Sequence, residues 1–344
     1  MKKRVGVAIS GGIDSAVAAF LLKKAGFEVV GFTMYLGINN FKSHSIEDAK
    51  KVCEKLEIPH YVLDLSNELE EIVIKRFINE YLEAKTPNPC VECNRFIKFG
   101  VFLERVLSAG CDFFATGHYA KIKKVGDDFL LKKSKDKTRD QTYFLYSIDK
   151  EKFKYIIFPL GNFTKERVKK IAQKYKLCEN LNSESRDICF VPQGDYRKFI
   201  LERVKEIKPG PIFDLEGNFL GMHKGIVFYT VGQKEGLGLK TNKPLYVINI
   251  DARKNQIIVG EREFLKAEGL VAGRVNILVK RLPPEAEAKI RYSHKPAKCR
   301  VFLENGKLKI IFYEKQEAIT PGQSVVLYQK DVVIGGGIIE EVLN

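Results

Sequence analysis

The sequence predicts an α/β protein: a doubly wound parallel sheet over residues 1–195, a β-rich central module over 196–268, and a C-terminal β-barrel over 269–344. Three observations carry this reading. The apolar run from Val5 to Ile9 halts at Ser10-Gly11-Gly12, and Asp14-Ser15 then opens an amphipathic segment from Ala16 to Ala25, giving the order strand, glycine turn, helix. Strand-like and helix-like segments keep alternating as far as Gly117, the pattern that builds parallel βαβ units. From Gly194 onward, helical periodicity gives way to short alternating segments separated by turn residues.

In order, Glu28 to Thr33 predicts a second strand, with Met34 at its C-terminal end, the edge where ligands of open α/β sheets collect. A helix from Ser45 to Glu57, capped by Ser43 or Ser45, is stopped by Pro59, and His60 to Leu63 forms a third strand. Ser66 is the predicted cap of a long helix to about Glu83, with Glu68 and Glu70 in its first turn. Two prolines hold Thr86 to Pro89 extended, and a helix is expected from Asn94 to Ala109. Cys111 to Gly117 is a further buried strand ending in Thr116-Gly117-His118-Tyr119, and a hairpin is expected around Gly126-Asp127-Asp128. The basic helix capped by Thr164 (Lys165, Arg167, Lys169, Lys170, Lys174) reads as a solvated face. The central module includes Leu245 to Ile250 and the glycine-rich stretch Tyr229 to Gly238. Six barrel strands are expected: 273–280, 286–292, 297–303, 307–312, 324–328 and 332–340.

The first turn is built to hold phosphate. Backbone N–H groups and the positive end of the helix dipole converge there, and the glycines let an anion approach the backbone. Ser10 and Ser15 offer hydroxyl donors, and Asp14 is a candidate to accept from loop amides or to help place Mg2+. The loop carries no Gly-Lys-Ser/Thr and is not Gly-x-Gly-x-x-Gly.

With 58 Lys and Arg against 43 Asp and Glu, the net charge of +15 favours polyanionic partners, although a lysine-rich surface of the heat-adapted kind gives the same sum. No apolar run is long enough for a membrane span, and the one behind the basic N-terminus is only a strand long, so a cytoplasmic protein with no membrane partner is expected. Seven cysteines in such a chain argue against a disulfide framework. Cys53, Cys111, Cys178 and Cys299 sit in apolar contexts and read as small buried residues.

Cys90 and Cys93 stand apart. Cys93 is expected at a helix N-terminus near Arg95 and Lys98, where dipole and charge lower a thiol's pKa, so it is placed to be a nucleophile. Cys90-x-x-Cys93 is half a zinc pattern with no second half, and its prolines differ from a thioredoxin-type pair. Cys189 follows about a hundred residues later in a strand-like tail. Gln141 could read a base edge, and Tyr143 or Phe144 could stack on one.

Ser10-Gly11-Gly12-Ile13-Asp14-Ser15 resembles the pyrophosphate loop of the PP-loop ATPases. Together with Thr86-Pro87-Asn88-Pro89 and Cys93-Asn94, Gly117-His118-Tyr119, Asp140-Gln141-x-Tyr143-Phe144-Leu145, Asp187-Ile188-Cys189-Phe190 and Tyr229-Thr230-Val231-Gly232-Gln233, it resembles the bacterial tRNA-specific 2-thiouridylases of the MnmA type over nearly the whole chain. The resemblance implies an adenine nucleotide alpha hydrolase-like catalytic domain and a tRNA-binding central module. It implies ATP-dependent adenylation of the C2 carbonyl oxygen of a wobble uridine, followed by transfer of sulfur from a cysteine persulfide. It assigns Cys93 as nucleophile and Cys189 as the persulfide carrier. Ala8, Ile9, Ser10, Gly11, Gly12, Ile13, Asp14, Ser15, Met34 and Gly117 fall where the family holds ATP. Asn88, Pro89, Cys90, His118, Arg139, Asp140, Gln141, Arg291, Tyr292 and Gln323 fall where it contacts tRNA. A persulfide donor, either a cysteine desulfurase or a sulfur carrier, is the implied partner.

The chain departs from the family in three places. Cys90 stands where many members carry Asp, Arg139 stands where Lys is common, and the segment between Met34 and Ser45 is short. The third thiol raises an alternative, an iron–sulfur cluster on Cys90, Cys93 and Cys189 that carries the sulfur. A different PP-loop activity, or a tRNA-binding protein with a vestigial nucleotide site, are the remaining alternatives.

Overall fold

The structure, a computed structural model, describes residues 2–38, 44–178 and 188–344; Ser43 and the polar stretch from Ser183 to Asp187 lie outside them. The parallel sheet contains β1 (Arg4–Ala8), β2 (Glu28–Tyr35), β3 (His60–Asp64), β4 (Phe113–Ala115) and a short edge strand. A hairpin, β5 (Ala120–Val125) and β6 (Asp128–Lys133), precedes that edge strand, β7 (Ile156–Ile157). The sheet order is β3-β2-β1-β4-β7, all parallel. Strand order reverses direction on either side of β1, so a crevice opens at the C-terminal ends of β1 and β4, where open α/β sheets take their ligands.

Helix Ile13–Lys24 follows the β1 turn directly and is buried on most faces through Ala16, Val17, Ala18, Ala19 and Leu22. It is less amphipathic than expected because helix Lys165–Lys174 covers its outer side. Two other helical segments begin differently from expectation. The one over residues 66–82 has Leu65 at its cap position, and the Asp64 carboxylate accepts from the Ser66 backbone N–H at 2.9 Å, so Ser66 is the first helical residue and not the cap. The one over residues 89–108 starts at Pro89, with Asn88 extended before it. Proline suits the first helical position because its missing N–H would have no partner there. Half of this helix, Cys93–Phe102, has π geometry.

The central module is a four-stranded sheet of β8 (Gly210–Phe213), β9 (Phe219–His223), β10 (Tyr246–Asp251) and β11 (Gln256–Gly260). Tyr229 to Gly238, expected to be strand-like, is an irregular loop. The last six strands, β12 (Lys266–Ile277), β13 (Glu285–Lys289), β14 (Ala297–Glu304), β15 (Lys307–Glu317), β16 (Ser324–Gln329) and β17 (Val332–Leu343), close into a barrel by pairing β12 with β17. The β5–β6 hairpin extends the barrel wall, with Val332 opposite Lys132.

The three modules meet at Thr86. Its N–H donates to the Pro321 carbonyl at 2.9 Å, its carbonyl accepts from Gln323 Nε2 at 2.8 Å, and its hydroxyl bonds that of Thr230. No described helix is long and apolar enough to cross a membrane.

Candidate functional site: a nucleotide loop and three thiols

The β1 turn forms as the sequence requires. Gly11 takes φ 77°, a left-handed conformation suited to glycine, and the helix starts at Ile13. Ile9 and Ile13 are buried, so they contribute backbone only. The Ile9 N–H donates to the Phe32 carbonyl at 2.8 Å, and its own carbonyl accepts from Thr33 Oγ1 at 2.8 Å. Ser15 is buried and holds the turn together from inside: its hydroxyl donates to the Gly12 carbonyl at 2.9 Å and accepts from the Ser10 N–H at 3.2 Å. Ser10 is exposed, so of the two expected hydroxyl donors it is the one facing outward. Met34 lies partly buried at the end of β2.

Gly117, at the end of β4, touches the turn. A Cβ there would come within 2.8 Å of the Asp14 carbonyl carbon and 2.9 Å of the Ser15 nitrogen. Only glycine allows this approach.

Asp14 is held by two side chains. Its Oδ1 accepts from the Tyr119 hydroxyl at 2.8 Å and from Lys165 Nζ at 2.9 Å, and its Oδ2 accepts from Lys165 Nζ at 2.7 Å. Burial, followed by the charge of Asp14 and its hydrogen bond, holds the Tyr119 phenol well above its ordinary pKa, so it stays a donor. Lys165 is therefore not on a solvated face; its side chain is only 5% exposed. A cation in the first turn of a helix opposes the dipole, and that was the sequence signal that an anion must face it.

Three thiols come together from two segments, and the Lys98 charge that acts on them acts also on His118, next to the loop-contacting Gly117. Cys93 is buried, Cys90 half-buried and Cys189 exposed, and Cys189 is anchored by Phe190, which packs edge-on to Phe77 at 5.3 Å. Cys90 and Cys189 each act electrostatically on Cys93, so all three share one site. The expected lowering of the Cys93 pKa is reversed: burial pushes it up to about 12, Lys98 pulls it down, and the neighbouring thiols raise it. The physical reason is position. Cys93 lies a full turn inside the helix, away from its N-terminus, where desolvation outweighs the Lys98 charge. Cys90 and Cys189 are shifted the same way, by crowding first, with Lys98 opposing. Among the described residues no group of three or more His, Cys, Asp or Glu side chains is arranged to hold a metal ion. Cys53, Cys111 and Cys299 are buried as expected, and Cys178 partly so.

His118 bonds the Thr116 hydroxyl through Nδ1 at 2.6 Å and packs against Phe99 and Phe158. Burial, then Lys98, keeps it neutral at pH 7. Several expected tRNA-contacting side chains carry internal bonds. Gln141 Oε1 accepts from the Tyr119 N–H at 2.8 Å, and Asp140 accepts from the Ser134 N–H at 2.9 Å. Arg291 donates to the Glu317 carbonyl at 3.3 Å. Tyr143 is a core residue and cannot stack on a base; its hydroxyl donates to the Ser324 carbonyl at 2.8 Å. Phe144 instead pairs with exposed Tyr292 at 4.6 Å.

An ion cluster between the thiol helix and the barrel was not foreseen. Arg274 of β12 donates to Glu80 at 2.6 Å and Glu92 at 3.4 Å, and Arg76 bonds the same two carboxylates. Glu92 lies between the two cysteines of the helix.

Comparison with known proteins places this arrangement. Family models match as a tRNA methyl transferase HUP domain over residues 3–193, a tRNA methyl transferase PRC-barrel domain over 197–261 and an aminomethyltransferase beta-barrel domain over 267–339. The chain is 49% identical to tRNA-specific 2-thiouridylase MnmA 1 of Syntrophus aciditrophicus, covering 100% of this chain and 94% of that one. It is 43% identical to tRNA-specific 2-thiouridylase MnmA of Clostridium botulinum, covering 99% of each. At 45% identity it also matches tRNA-specific 2-thiouridylase MnmA of Caldicellulosiruptor saccharolyticus over 100% of both chains. With this loop, these thiols and relatives matching end to end, the chain belongs to the MnmA family of tRNA-specific 2-thiouridylases.

Proposed function

We propose that this protein is a cytoplasmic tRNA-uridine 2-sulfurtransferase acting on a wobble uridine. The observation that carries the reading is the Lys98 charge, which acts on three thiols and also on His118, the residue after the Gly117 that touches the phosphate loop. The loop from Ala8 to Ser15, with Met34 and Gly117, binds ATP together with Mg2+, which would supply charge neutralisation at the phosphates. The uridine O2 attacks the α-phosphorus, pyrophosphate leaves, and an oxygen that was a poor leaving group becomes part of AMP. The terminal sulfur of a Cys189 persulfide, charged by a cysteine desulfurase or a sulfur carrier, bonds to C2 as AMP departs. The Cys93 thiolate then attacks the Cys189 sulfur. The S–S bond to the nucleoside breaks, a Cys93–Cys189 disulfide forms, 2-thiouridine is released, and an external thiol reduces the disulfide.

Asn88 to Cys90, His118, Arg139 to Gln141, Arg291-Tyr292 and Gln323 form the tRNA rim, and the module boundaries are 1–195, 196–268 and 269–344. The test is ATP–pyrophosphate exchange with and without tRNA. Exchange that requires tRNA and persists in Cys189→Ser, with thiolation abolished, is expected. Full thiolation by Cys189→Ser would refute the persulfide route, and exchange indifferent to tRNA would refute the adenylation step.

A further inference from the structure

We infer that Arg274, supplied by barrel strand β12, is the positioning residue that sets the spacing between the Cys93 and Cys189 sulfurs. The inference rests on the persulfide reading above. In that reading the Cys93 thiolate bonds to Cys189 Sγ as the S–S bond to the nucleoside breaks and its electron pair leaves with the 2-thio group. Two sulfurs from separate segments must therefore meet in line, and small misplacements of such groups are costly.

Each segment is fixed to a different helix. Cys93 follows Glu92 in the helical segment over residues 89–108. The Cys189 segment packs on the one over residues 66–82. Phe190 and Phe199 stand edge-on to Phe77 at 5.3 and 6.4 Å, and Tyr196 stacks on Tyr81 at 4.7 Å. Glu80 belongs to that same helix and precedes Tyr81. The placement of one helix against the other thus decides how the sulfurs meet.

Arg274 ties the two helices together. Its terminal nitrogens reach Glu80 at 2.6 Å and Glu92 at 3.4 Å, and Arg76 bridges the same carboxylates at 3.2 and 2.9 Å. The two carboxylates are 11% and 13% exposed, so water can replace little of what the arginines provide. A planar guanidinium can span both carboxylates, as a lysine ammonium cannot. The barrel distorts its own backbone to make this contact. The β12–β17 register slips between Gly273 and Asn276, and Arg274 takes φ 47°, a left-handed conformation unfavourable for a residue with a Cβ. Such bulges re-aim side chains. Beyond this one, Asn276 donates to the Tyr146 and Ile148 carbonyls at 2.7 and 2.9 Å, locking the strand to the catalytic domain.

Arg274→Met alone leaves a buried carboxylate short of its cation, so Arg274→Met with Glu92→Gln, which keeps the cluster neutral, is the companion variant. In the test, diamide takes two electrons and two protons from a thiol pair of the reduced full chain, and the Cys93–Cys189 disulfide is followed by mass spectrometry. Both variants should form it at least about tenfold more slowly than wild type, and kcat for tRNA thiolation should fall by a similar factor. Iodoacetamide labelling of Cys189, KM for tRNA and tRNA-dependent pyrophosphate exchange should stay within about twofold. A merely structural role would lower exchange together with thiolation. That result, or wild-type disulfide and thiolation rates in the companion variant, would overturn the inference while the persulfide reading stands. Full thiolation by Cys189→Ser would overturn both.

Discussion

The nucleotide loop and the thiol group are assembled in opposite ways. The loop is continuous in sequence, and its polar groups are satisfied within it or by Asp14's partners: Ser15 ties to Gly12 and Ser10, and Asp14 ties to Lys165 and Tyr119. The thiols come from segments about a hundred residues apart, and each is raised, chiefly by desolvation, away from the reactive thiolate. The difference teaches that the ATP half is preorganised, whereas the sulfur half is held protonated. In this account buried Cys93 becomes reactive only when substrate or a persulfide changes its surroundings, whereas exposed Cys189 is open to the sulfur donor.

Four perturbations sharpen this contrast. The largest effect is expected on the sulfur half alone: Cys93→Ser should lower tRNA thiolation by at least about a thousandfold while tRNA-dependent pyrophosphate exchange survives. Loss of both activities would show that the halves are not separable. On the ATP half, Gly117→Ala places a methyl 2.8 Å from the Asp14 carbonyl carbon, and ATP affinity measured by calorimetry should fall. The expected loss is about tenfold; wild-type affinity would mean the close approach is unimportant.

Next, Arg274→Ala removes the barrel's grip on Glu80 and Glu92, and thermal denaturation should report a loss of about 1–3 kcal/mol. Faster alkylation of Cys93 should accompany it, because Glu92 shares the thiol helix. The smallest effect concerns pH. With its pKa pushed up to about 12, Cys93 is almost wholly protonated at pH 7 and becomes reactive only as pH rises. Iodoacetamide labelling, mapped by mass spectrometry, should therefore climb about tenfold per pH unit between roughly pH 8 and 10. Lys98 opposes the rise, so Lys98→Met should move that profile further up. A plateau near pH 7 would contradict the protonated state.

What could be read from the sequence was local. The turn at Ser10 to Ser15, the Thr164 cap, the β5–β6 hairpin and all six barrel strands follow from patterns a few residues long, and they form. The Lys165–Asp14 pair joins residues 151 apart, and only the unfavourable placement of a cation in a first helical turn hinted at it. The Cys93 shift was read with the wrong sign because dipole and charge are visible in sequence, whereas desolvation depends on what packs over the thiol. The helix start was misjudged because Pro89 was read as a stop, although proline also serves as a first helical residue. Tyr143 looked available for stacking, but the barrel covers it through Ser324.

The central claim is that this chain puts sulfur on the wobble uridine of tRNA. Nucleoside mass analysis of tRNA from cells lacking the protein, and from the same cells carrying it again, tests this most directly. The account predicts that 2-thiouridine at the wobble position disappears in the first and returns in the second; unchanged 2-thiouridine in the cells lacking the protein would contradict it.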